Sequence, residues 1–101
     1  MAALAPDSPD EALHDLRKGV KRIRYLAELD PRRHRELLRR LKGRQTLLGD
    51  FQDLCTRQAS IEAFARDLPE EAEACRAWRD TLENEKRTLR EKIMALPALT
   101  N

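Results

Sequence analysis

At 101 residues the chain has room for one domain with a modest core, since a domain this small buries only about two-thirds of its unfolded surface. Charged residues make up 38%, aromatics only 4%, and there are three glycines, a composition that suits long helices and argues against a sheet protein. There is no run of about 18 apolar residues to span a bilayer, no basic and apolar leader of the secretory kind, and no cluster of Cys and His spaced for zinc.

The first eight residues read as a disordered lead-in, followed by one helical unit over 9–97 and a short tail over 98–101. Ser8 is placed to cap a helix that has Pro9 at its first position and acids in its first turn. Leu13, Leu16, Val20, Ile23 and Ala27 follow at spacings of three and four, an amphipathic seam. Pro31 ends this helix, because the residue before a proline avoids the helical region, and Asp30 is placed to start the next. That second helix is expected from about residue 32 to the mid-50s, with Leu37, Leu38, Leu41, Leu48, Phe51, Leu54 and Cys55 inward. Gly49 inside it costs roughly 0.8–1 kcal/mol relative to alanine, so it should serve a close contact or a kink. A shorter helix over 57–67 carries Ile61, Phe64 and Ala65, continuing the second or breaking from it near Thr56. A last helix starts at Pro69 and runs to about 95 on Cys75, Trp78, Leu82, Leu89, Ile93 and Leu96. The expected fold is all-α: an antiparallel helical bundle of three long helices and one short one. Both cysteines should be reduced and buried, in a cytoplasmic protein.

The net charge of +2 conceals a strong polarity. Residues 13–46 hold twelve Lys/Arg against four Asp/Glu, whereas 50–85 hold four against ten. The densest stretch, HDLRKGVKRIRY over 14–25, has five Lys/Arg, one histidine and a single acid. At 100° per residue the seam fills roughly 80° of arc, and His14, Arg17, Lys18, Lys21, Arg24 and Tyr25 fill the neighbouring roughly 120°. Like charges three and four apart repel by a few tenths of a kcal/mol per pair. A helix that accepts several such pairs is plausibly organised around a polyanion. The competing reading is a solvated border of the core, or neutralisation by the Glu-rich last helix. Base-stacking aromatics are few, and no phosphate-cradling Gly-rich loop is present. Aligned Arg and Lys without base-reading groups suit a repetitive phosphate chain, onto whose oxygens the guanidinium forks.

The segments LHDLRKGVKRIRYLAEL (13–29) and LKGRQTLLGDFQDL (41–54) together resemble the CHAD domain, the conserved histidine α-helical domain. The matching positions in the second are Leu41, Lys42, Gln45, Leu48, Gly49 and Asp53. The resemblance implies non-catalytic binding of inorganic polyphosphate and an association with polyphosphate granules. It assigns phosphate contact to His14, Arg17, Lys21 and Arg24, and in a supporting role to Lys18 and Lys42. Helical spacing adds Arg39, one turn before Lys42. Gln45 and Asp53 are expected to orient neighbours or join helices. No cofactor, metal ligand set or catalytic residue is expected, and His34 should simply be exposed. The resemblance implies that the chain matches one of the two bundles of a full CHAD domain, expected to be the C-terminal one; if it stands alone, two copies could pair about a two-fold axis, and a strict monomer in light scattering would count against that. A nucleic-acid binder or a scaffold module using the same basic face is the alternative, with nucleic acid disfavoured and no membrane partner.

Overall fold

The computed structural model of the protein describes residues 8–97; most of the expected lead-in, and the tail over 98–101, lie outside the described residues. Three α-helices follow one another: α1 Asp10–Ala27, α2 Arg35–Asp67 and α3 Ala72–Met94, with a single 3-10 turn, Pro69–Glu71, before α3. No strand occurs among the described residues.

The helix boundaries follow local chemistry. Pro9, not Ser8, holds the capping position of α1, and its carbonyl accepts from the Ala12 amide at 2.9 Å. Asp10 and Glu11 then sit where the helix dipole favours negative charge. Beyond Ala27 the chain turns through residues 28–34, later than the expected start of α2. Asp30 organises this turn: its carbonyl accepts from His34 N at 3.2 Å and its carboxylate from Arg33 N at 3.4 Å. His34 is the capping residue of α2 and is half-buried rather than exposed.

The main departure from the sequence reading is α2, which is one helix of 33 residues. The separate short helix expected over 57–67 is its C-terminal part. Thr56 and Ser60 do not break it, because their hydroxyls donate to the carbonyls four residues back, Gln52 and Thr56, each at 3.1 Å. Gly49 serves no close contact, since a Cβ there would meet nothing within 4 Å.

α2 packs against both other helices. Asp10 meets Cys55, His14 meets Gln52 and Arg24 meets Gln45, so numbers rise along α1 as they fall along α2. Between α2 and α3 the order is again reversed, from Gln58 with Glu83 to Arg44 with the Pro97 carbonyl. The shared core holds Leu13, Val20, Ala27, Leu41, Leu48, Phe51 and Ile93. Cys75 is buried and Cys55 half-buried, and both thiols are free. Burial, then the charge of Asp10, push the Cys55 thiol up.

Two aromatics expected inward are not. Phe64 is 42% and Trp78 55% exposed. α1 is 18 residues long and reaches α2 only as far as Cys55, so the far end of α2 packs against α3 and the Pro69–Glu71 turn without α1. Trp78 lines an open groove there with Ile61 and Leu82. Lys86 departs in the opposite sense, at 3% exposure. Its Nζ donates to Asp10 Oδ2 at 2.6 Å and Gln58 Oε1 at 2.8 Å, and lies 5.6 Å from the Phe51 ring centroid. Arg90 stands over the same ring at 5.4 Å and bonds Asp10 Oδ1 and the Ser8 carbonyl. A buried ammonium is tolerable only when its donors are satisfied, and here Asp10, Gln58 and the ring face satisfy them. Burial alone would raise the Asp10 carboxyl, but the hydrogen bonds and charges of Lys86 and Arg90 outweigh it and hold the pKa below its usual value. This network fastens the first turn of α1 to α3, and so sets where the face of α1 points.

Candidate functional site

The basic residues of α1 lie along its junction with α2. Leu13, Val20 and Ala27 are buried in the core, which turns the adjoining arc, from His14 to Arg24, along one edge of α2. His14, Arg17, Lys21 and Arg24 are half-buried there, while Lys18 and Tyr25 are exposed. At 1.5 Å per residue the arc from His14 to Arg24 is about 15 Å long.

Its two ends are held by glutamines of α2. Gln52 Oε1 accepts from His14 Nδ1 at 3.2 Å, and Gln45 Oε1 accepts from Arg24 Nη1 at 2.6 Å. The second bond gives Gln45 the orienting role expected of it. Gln52 escaped the sequence reading; the available signal was its place seven residues after Gln45, two turns along the same face. Arg24 also pairs with Glu28, Nε to Oε1 at 2.9 Å. Asp53 is exposed and lines an open groove toward Glu85 and Lys92 of α3, away from the α1 edge.

Between these ends, the side chains of Arg17, Lys18 and Lys21 make no hydrogen bond or ion pair with any described residue, and neither does the Lys42 ammonium on α2, whose carbonyl accepts from Thr46 Oγ1 at 3.1 Å. The Glu-rich α3 does not neutralise the stripe: the acid–base pairs joining α1 and α3 are those of Asp10 with Lys86 and Arg90. Arg39 differs from its companions. It is exposed and doubly bonded to Glu36, Nη2 to Oε1 at 2.6 Å and Nε to Oε2 at 3.1 Å. Those bonds, with the charges of Arg39 and Arg40, hold the Glu36 carboxyl below its usual pKa against an opposing desolvation. Arg44, one turn further along α2, is nearly buried and donates to the Pro97 carbonyl, so it joins helices rather than facing a ligand. Burial, then the nearby Arg40 charge, lower its pKa.

The arrangement is an electropositive edge with fixed ends and unpaired cations between them. Such a surface can bind an extended anion; among the described residues no group of three or more His, Cys, Asp or Glu side chains is placed to hold a metal ion. No described helix is long and apolar enough to cross a membrane. No curated protein and no solved structure matches the chain. The CHAD domain pattern, however, matches residues 1–62, which take in α1, its junction with α2 and every residue of the basic edge, and the chain therefore belongs to the CHAD domain family.

Proposed function

We propose that this protein binds inorganic polyphosphate without catalysis, along the edge of α1 that runs from His14 to Arg24. The CHAD domain is associated with polyphosphate binding in general. The observation that carries the reading to particular residues is the set of unpaired cations. Arg17 and Lys21 are half-buried, yet nothing in the described protein answers their charge. Holding like charges a turn apart costs stability, and a chain of phosphates is the partner that returns it. Lys18 and Lys42 flank the same edge, His14 and Arg24 close its ends, and Arg39 contributes least because Glu36 already engages it.

Nucleic acid fits less well. Sequence-tolerant single-strand binding needs several stacking platforms, and the basic edge has Tyr25 alone, at 62% exposure. Trp78 and Phe64 lie on the far, acidic half of the molecule. Pairing with a second copy, and residence at polyphosphate granules, belong to the same proposal.

The test is a titration with long-chain polyphosphate at about 0.15 M salt, beside RNA and DNA of matched charge. A charge-assisted hydrogen bond is worth about 1.5–3 kcal/mol when enclosed, and roughly 1–1.5 at a half-exposed site. The double variant Arg17→Ala/Lys21→Ala should therefore bind polyphosphate about 30- to 140-fold more weakly. Equal affinity for all three polymers would reduce the edge to a generic cationic surface. An unaffected double variant would move the site elsewhere.

A further inference from the structure

The hydrogen bond between His14 and Gln52 has a consequence for protons. Gln52 offers His14 its carbonyl oxygen, Oε1, which accepts and never donates. The hydrogen on that 3.2 Å contact must therefore belong to His14 Nδ1. A neutral imidazole carries one N–H, so Nε2 of the neutral ring is a bare lone pair. No described residue bonds Nε2. A phosphate oxygen approaching it would meet lone pair against lone pair. Only the doubly protonated ring can keep Gln52 and donate to phosphate together.

We infer that Gln52 is a positioning residue, which holds His14 in the Nδ1–H form and so couples polyphosphate binding to uptake of a proton at Nε2. The inference rests on the polyphosphate reading given above. The proton comes from solvent, the new N–H donates to a phosphate oxygen, and no covalent bond to phosphate forms. The charges around the ring are of both signs. On α1, Asp10 and Glu11 lie a turn before it, Asp15 beside it, and Arg17 and Lys18 a turn after. On α2 the facing group is the neutral Gln52, with Asp53 next in sequence and the Cys55 thiol engaged with Asp10. From α3, Lys86 and Arg90 reach this end of α1 but are committed to Asp10. An arriving polyanion favours the positive ring. Binding and protonation then favour each other, and by linkage the affinity must rise as pH falls.

The coupling can be read directly by calorimetry of the intact chain with long-chain polyphosphate at pH 7.5, in two buffers of very different ionisation heat. The difference in observed heat gives the number of protons taken up. The expected uptake is up to one proton per occupied edge, because one ring nitrogen, Nε2, gains a hydrogen. His14→Gln should abolish the uptake and flatten the pH dependence, leaving the binding that belongs to the arginines and lysines. Gln52→Leu is the decisive variant. Without its acceptor the neutral ring can carry the hydrogen on Nε2 and donate at once, so uptake should fall and the pH dependence of affinity should flatten. Gln52→Asn, which keeps an amide oxygen on a shorter arm, should retain part of the coupling. Helical content by circular dichroism verifies that each variant is folded. Binding by the wild type with no proton uptake would overturn this inference and leave the polyphosphate reading intact. Full uptake by Gln52→Leu would likewise overturn the role of Gln52. Absence of binding altogether would overturn both.

Discussion

The anchor at the start of α1 makes an asymmetric prediction about stability. Lys86 is buried, with a side chain only 4% exposed, whereas the Asp10 side chain is 42% exposed. Truncating Asp10 to alanine strands the ammonium beneath the helices, with Gln58 Oε1 at 2.8 Å and a more distant Glu83 carboxylate at 3.9 Å. Removing one member of a fully buried pair costs about 3–5 kcal/mol. Because Asp10 is partly in water and Gln58 remains, the cost expected here is about 2–3 kcal/mol. For a domain of this size that lowers Tm by about 10–20 °C. Replacing Lys86 by methionine removes the charge that needed a partner and keeps an unbranched stem against Phe51. Asp10 retains Arg90 and water, so the loss should stay within about 1 kcal/mol. The pH dependence follows from the depressed Asp10 pKa. A carboxyl whose folded pKa lies below its unfolded value contributes stability above the unfolded value, near 3.9. That contribution disappears as pH falls through the folded pKa. Urea unfolding followed by helical circular dichroism, at pH 7 and down a series to about pH 2.5, measures all of this. The wild type should lose part of its advantage over Asp10→Ala across the acid range. A Lys86→Met variant as unstable as Asp10→Ala would refute the reasoning, because the pair itself, rather than the stranded charge, would then be the source of stability.

Two further predictions concern α2. Gly49→Ala should stabilise the fold by about 0.8–1 kcal/mol, because alanine is the better helix former and its Cβ would find nothing within 4 Å. A higher urea midpoint with unchanged m-value would bear this out, and a lower one would mean a backbone bend that alanine cannot follow. Arg39→Ala should change polyphosphate affinity less than twofold, while Lys42→Ala should cost several-fold, because Glu36 engages the Arg39 guanidinium and no described group engages the Lys42 ammonium. The reverse order in side-by-side titrations would place the ligand on the N-terminal turns of α2.

What the sequence disclosed and what it concealed divide by the range of the interaction. The seam of α1 and its basic arc were legible because both are periodicities within one helix, fixed at 100° per residue whatever the helix packs against. Leu13, Val20 and Ala27 are accordingly buried and the arc lies beside them. The continuity of α2 through Thr56 was not legible, since β-branched and hydroxylated residues weaken a helix on average, and the compensating bonds to carbonyls four residues back appear only once the helix exists. Lys86 sits at seam spacing between Leu82 and Leu89, yet a lysine there ordinarily leans its stem on the core and sends its charge to water. It stays inside because Asp10, 76 residues earlier, arrives at the same point. Trp78 is exposed for the converse reason: its apolar face implies a partner, but α1 is too short to supply one. The candidate site shows the same division. Its cations share one helix and could be read in order, whereas Gln52 acquires its role from the register of α1 on α2, 38 residues away in the chain. A charge pattern thus announces what kind of ligand a surface attracts, while the groups that orient the contacts are set by packing between helices.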